Sequence, residues 1–120
     1  EYSACVASGA VSFTSALKAV HTRGRAMQKA VPEGKGTMLA VLGASNEHVI
    51  EMCNWAQKTS GLSPVEPANF NAPGQVVVSG SLEAVNYLKD HFKSSELSQN
   101  VKAKFIPLNV SAPFHCSLMK

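Results

Sequence analysis

Two side chains in this sequence are placed where chemistry can be done. His115 stands in VSAPFHCSLMK, residues 110–120, after the pair Pro113-Phe114 and before a short amphipathic run. A proline-containing loop leaving a strand holds a ring in a fixed place. A histidine held that way can take a proton from a nucleophile and return it to a leaving group. The same residue also fits a plain surface position or a satisfied core position. Arg23 lies in a helical stretch, and on a helical wheel it flanks the apolar face near Val20 and Met27. A guanidinium there costs free energy unless it meets an anion. One reading has it snorkel or pair with an internal carboxylate. The other makes it a bidentate clamp for a substrate carboxylate, since its planar fork matches two carboxylate oxygens.

Other reactive residues have weaker settings. Cys116 adjoins His115, but neighbours on an extended segment point opposite ways, and no third orienting group is apparent. His21 and His91 fall on helical stretches without a partner nearby in sequence, and His48 falls in a first helical turn. No pair of histidines has zinc-ligand spacing, so no metal site is expected. The three cysteines, Cys5, Cys53 and Cys116, form no CxxC and cannot all pair. Free thiols point to a reducing compartment, bacterial cytosol or an organelle matrix.

Composition sets the outer limits. The 120 residues suit one domain, and 45% apolar residues supply an ordinary globular core. No apolar run approaches the roughly 20 residues that span a bilayer, and no signal peptide is visible. The net charge of +3 is small but uneven. Lys18, Arg23, Arg25, Lys29 and Lys35 face only Glu33 between residues 18 and 35. Lys18, Arg25 and Lys29 form a stripe opposite the apolar face. It reads as a solvated helix face or as a docking edge for an acidic partner.

The elements that must position these residues follow from periodicity. Residues 1–9 read as a helix end closed by Gly9. Residues 13–31 read as a helix with Phe13, Leu17, Val20, Met27 and Val31 on one face, ended by Pro32 and Gly34. Thr37 to Leu42 is a short buried strand. Ser45 caps a helix with Val49, Ile50, Cys53 and Ala56 inward, running to Gly61. Val65 to Phe70 is a strand placed at a sheet edge by Pro67. Asn71 to Gly74 is a type II turn leading into the strand Gln75 to Ser79. Ser81 caps a helix with Val85, Leu88 and Phe92 inward. Ser94 to Asn100 reads as loop, and Ala103 to Ile106 as a last strand closed by Pro107.

The class is therefore α+β. Residues 36–107 run β-α-β-β-α-β, the split-βαβ, ferredoxin-like order, with the second and fourth strands at the edges. Residues 1–35 form a helical segment and residues 108–120 an active-site loop, both assigned to a parent domain into which the unit is inserted. Glu1 is not a start methionine, and VSAPFHCSLMK ends just past the histidine. The chain thus reads as an excised piece of a larger enzyme.

Four stretches resemble the malonyl-CoA:acyl carrier protein transacylase family: EYSACVASGAVSF (1–13), RGRAMQKAVPEGKGTMLAVLG (23–43), PANFNAPGQVVVSG (67–80) and PLNVSAPFHCSLMK (107–120). The resemblance implies an α/β-hydrolase-like acyltransferase domain with an inserted ferredoxin-like subdomain. It implies a serine nucleophile in a Gly-His-Ser-Leu-Gly elbow ending just before Glu1. It also implies an oxyanion-hole glutamine nearer the N-terminus and a further C-terminal part. None of these three lies within the 120 residues, so the chain alone is expected to be inactive. On this resemblance Arg23 binds the malonyl carboxylate and His115 is the catalytic base. Asn71 and Gln75, in the NFN-x-PGQ stretch, border the acyl and pantetheine site. Phe114 resembles the malonyl-selective variants.

The implied reaction moves malonyl from malonyl-CoA to the phosphopantetheine thiol of acyl carrier protein through a malonyl-serine ester, in fatty acid biosynthesis. Its partners are the carrier and the coenzyme A thioester, with no cofactor, nucleic acid or membrane, in the cytoplasm. The contrasting reading is a stand-alone ferredoxin-like module that binds a small ligand or docks a partner without catalysis. An RNA-binding version would need aromatics on the central strands, and GTMLAVL and GQVVVSG have none.

Overall fold

The computed structural model describes residues 1–97, 101–110 and 112–120. Helix α1 spans Tyr2–Ala7 and α2 Phe13–Ala30. Then come β1 (Gly36–Leu42), α3 (Asn46–Ser60), β2 (Val65–Ala72), β3 (Gln75–Ser81), α4 (Leu82–His91) and β4 (Lys104–Pro107). Single 3₁₀ turns lie at Ser94–Glu96 and Ser117–Met119. The first falls in the segment expected to be loop, of which Ser98, Gln99 and Asn100 lie outside the described residues.

Serines start the three long helices. Ser12, Ser45 and Ser81 each accept the backbone N–H three residues on, at 3.2, 3.3 and 3.2 Å. At the first turn of α3 the carboxyl of Glu47 is held below its usual range, by a backbone hydrogen bond and then by the Ser45 hydroxyl.

The sheet is antiparallel, in the order β2-β3-β1-β4. Pro67 and Pro107 fall on the edge strands, where a missing N–H costs no internal ladder bond. The β2–β3 hairpin closes through Pro73-Gly74, with Ala72 paired to Gln75 and Gly74 at φ +74°. That is the left-handed position a type II turn needs.

Alternation then gives the sheet two buried faces. Leu39, Val41, Val65, Val76 and Val78 meet α3 and α4 through Val49, Met52, Cys53, Ala56, Ala84, Val85 and Leu88. Trp55 and Phe92, in edge contact at 5.6 Å, close one end of this core. Burial, and then the charge of Glu66, push the Cys53 thiol up to about 12, so it stays a neutral packing group. On the other face Met38, Ala40, Val77 and Ser79 are also buried.

Helix α2 departs from expectation. It starts as read and ends one residue earlier, at Ala30, but its apolar face is not covered. Phe13, Leu17 and Val20 are 66, 54 and 48% exposed, Met27 is half-buried, and only Ala16 within the helix is buried. Val31 is buried as the extended residue that ends the helix. The exposed side chains line an open apolar groove of about 320 Å³ with Tyr2, Val6 and Ala7 of α1. Helical spacing identifies an apolar face but does not say what covers it.

Candidate active site

The segment after β4 runs back across the second face of the sheet as a strap. Leu108 N–H donates to the Met38 carbonyl at 3.0 Å. Ala112, Pro113 and Cys116 are buried. Pro113 seats on the backbone of Gly36, where an added Cβ would lie 2.3 Å from its Cγ. Glycine at 36 is therefore a packing requirement: any side chain would lift the strap.

His115 stands exposed at the crest of this strap. The segment is not extended there, as the sequence led us to expect. His115 has φ 60°, the left-handed conformation, which histidine adopts more readily than most residues. The turn separates its ring from its neighbour. The Cys116 thiol is buried and donates to the Pro113 carbonyl at 3.1 Å, so the structure does not join Cys116 and His115 as a nucleophile–base pair. Beyond the turn, Ser117 donates its backbone N–H and its hydroxyl to the two carboxylate oxygens of Glu66, each at 2.8 Å. The 3₁₀ turn Ser117–Met119 also packs against α2 and β3.

Arg23 lies on α2, the helix that this turn touches. Its side chain is exposed and makes no ion pair among the described residues. The burial cost inferred from the helical wheel is thus absent in this chain, because the neighbouring apolar face is open. Nor does an internal carboxylate pair with it among the described residues, leaving the fork free for a ligand. Lys18, Arg25 and Lys29 are exposed as expected, with Arg25 and Lys29 beside His21 along a shallow groove.

Asn71 and Gln75 sit at the hairpin end of the sheet, both exposed. The strap crosses at the opposite end. Gln75 pairs with Leu42, whereas Pro113 seats on Gly36. Six residues of strand separate these points by about 20 Å. The structure therefore packs the turn after His115 on the helix of Arg23 and leaves Asn71 and Gln75 at the other end of the sheet.

Two features at the site escaped the sequence. In β2 the pairing slips between Pro67 and Asn69 and again between Phe70 and Ala72, so Ala68 and Asn71 are bulged residues. A bulge re-aims its side chain, and only Pro67 hinted at it. The second is the Glu66–Ser117 contact, which joins residues 51 apart and has no local signature. Among the described residues no three or more His, Cys, Asp or Glu cluster as a metal site would require. None of their helices is long and apolar enough to cross a membrane.

A family model described as an acyl transferase domain matches residues 1–115. The chain belongs to the acyl transferase domain family. This acyl transferase segment is 45% identical over 121 aligned residues to the malonyl CoA-acyl carrier protein transacylase of Haemophilus influenzae. That alignment takes in all of this chain and 36% of the relative. Among solved structures it resembles FabD from Acinetobacter baumannii, with TM-score 0.83 and 46% identity over all of this chain and 36% of that one. It also resembles a malonyl-transacylase, PlMCAT, solved with the type II polyketide synthase acyl-carrier protein AntF, with TM-score 0.83 and 42% identity. There 98% of this chain and 36% of that one are covered. The acyl transferase segment thus spans about a third of the length of the relatives it matches.

Proposed function

We propose that this chain is the arginine- and histidine-bearing part of a malonyl-CoA:acyl carrier protein transacylase acting in fatty acid biosynthesis in the cytoplasm. One observation carries the reading: the turn that follows His115 packs on the helix that bears Arg23. The likeness to malonyl transacylases along the whole chain supports it. In this reading residues 36–107 form a ferredoxin-like subdomain, and the observed strand order β2-β3-β1-β4 fits that arrangement. Residues 1–35 and 108–120 belong to the α/β-hydrolase-like large domain.

The full-length protein works by two acyl transfers without a cofactor. The imidazole of His115 takes the proton of the serine as its oxygen attacks the malonyl thioester carbonyl. The C–S bond breaks, the proton passes to the leaving thiolate, and coenzyme A departs from a malonyl-serine ester. The carrier's pantetheine thiol then gives its proton to His115, attacks the ester and leaves with the malonyl group, and the serine is reprotonated. Arg23 grips the free carboxylate of the malonyl group throughout. Asn71 and Gln75 line the outer end of the cleft, toward the pantetheine arm. Phe114 crowds an α-methyl branch.

The testing experiment is transfer of labelled malonyl from coenzyme A to phosphopantetheinylated carrier by the full-length protein. The 120-residue chain serves as control and is expected to be inactive, since it holds no serine elbow. Malonyl transfer by the chain itself above a His115→Ala version would sink this division of labour. A full-length protein that binds carrier or ligand but transfers nothing would favour the non-catalytic module.

The exposed stripe Lys18, Arg25 and Lys29 suits an acidic carrier docking beside the cleft. Attraction between exposed charges mainly speeds association and is screened within about 8 Å at physiological salt. Reversing the three to glutamate is expected to raise the KM for carrier, most at low salt, and to spare the KM for malonyl-CoA. Carrier kinetics insensitive to the reversals at low ionic strength would place docking elsewhere.

A further inference from the structure

We propose that Glu66 is a positioning residue for His115, its carboxylate pinning the turn after the histidine to the sheet and so fixing where the imidazole stands. The inference rests on the transacylase reading of His115 as base.

The contact is two-pronged. Oε2 accepts the Ser117 backbone N–H and Oε1 accepts the Ser117 hydroxyl, each at 2.8 Å. Hydrogen bonds to an ionised carboxylate are short and strong, and two parallel ones fix orientation as well as distance. Glu66 can serve here because Val65 is buried in the helix-side core, so the next side chain on β2 points to the strap side. It pairs across the strands with Ser79, which is buried on the same face of the sheet.

The pin matters because of what lies between it and the other anchor. Pro113 is locked on Gly36, and Ser117 is locked on Glu66. His115 is midway, in a left-handed conformation that is kept only when its surroundings over-determine it. Cys116 adds one bond inward, to the Pro113 carbonyl, but that bond lies within the turn and does not tie it to the sheet. Release at Ser117 would therefore let the crest relax and the ring drift from its serine.

Loss of the pin should act on the chemical step. A base out of place weakens the transition state and leaves ground-state binding intact, so kcat falls while KM holds. In the full-length protein Glu66→Ala is expected to lower kcat for malonyl transfer about tenfold and to change the KM for malonyl-CoA less than about twofold. Glu66→Gln, which keeps one acceptor for the N–H, should recover most of that loss. Amide hydrogen exchange gives a readout independent of turnover: Ser117 should be protected in the unaltered protein and exchange about tenfold faster in Glu66→Ala. Unchanged kcat in a Glu66→Ala protein that exchanges faster at Ser117 would overturn the positioning role. So would equal loss of kcat in the alanine and glutamine variants, matched by a loss of folded protein. An unprotected Ser117 amide in the unaltered protein would remove the pin itself. If the unaltered protein shows the protection but transfers no malonyl, the transacylase reading fails, and the role for Glu66 at a catalytic base falls with it while the pin remains.

Discussion

Arg23→Ala in the full-length protein is expected to cut malonyl transfer on the order of 10²-fold and to leave acetyl transfer unchanged or improved. The cause is electrostatic. A guanidinium meeting a carboxylate in a closed cleft makes two charge-assisted bonds, and beside an acetyl methyl it meets nothing. The imbalance amounts to about 2–5 kcal/mol once both charges are out of water. Arg23 is exposed in this chain, where the attraction would be screened and small. The full effect thus needs the closed site that the proposed function gives the complete protein. Parallel assays with malonyl-CoA and acetyl-CoA decide it, and equal losses for the two acyl groups would make Arg23 a structural residue.

His115→Ala is expected to remove about 10²–10⁴-fold of the turnover, the usual contribution of a general base. The loss should fall on both half-reactions, since in the proposed mechanism the same ring takes a proton from the serine and then from the carrier thiol. Single-turnover rates of acylation and of transfer to carrier measure the two separately. A variant slowed in only one half-reaction would mean that another group serves as base in the other. The left-handed backbone at His115 makes the alanine variant informative about strain as well. His115→Asn, which tolerates that conformation but cannot act as the base, should be equally slow.

The order of elements was legible because each strand and helix carried its own punctuation. Ser45, Ser81, Gly61 and the Pro73-Gly74 pair mark boundaries through local hydrogen bonding and backbone sterics, which act over a few residues. Pro67 and Pro107 placed β2 and β4 at the edges for an equally local reason. His115 stood out by its place after a strand and a proline, and Arg23 by its angle on the wheel.

What stayed hidden depends on distance along the chain. The clamp between Glu66 and Ser117 joins two ordinary residues that only the folded strap brings together. The left-handed turn at His115 sits between anchors at Pro113 and Ser117 that only the folded strap supplies, and a segment with proline in it looks extended from sequence alone. The bulge at Asn71 arises from the pairing of two strands and leaves no trace in the spacing of apolar residues. Periodicity also marked Phe13, Leu17 and Val20 as an apolar face without telling whether anything covers it.

In the proposed mechanism His115 and Arg23 serve a serine that carries malonyl as an ester. Intact-mass measurement of the full-length protein, mixed with malonyl-CoA in the absence of carrier, tests it most directly. One malonyl group per protein is expected, attached to the elbow serine, lost on adding carrier, and formed slowly in His115→Ala and Arg23→Ala. A protein that passes malonyl to carrier without ever holding it, or that holds it on Cys53 or Cys116, would rule out a malonyl-serine served by His115 and Arg23.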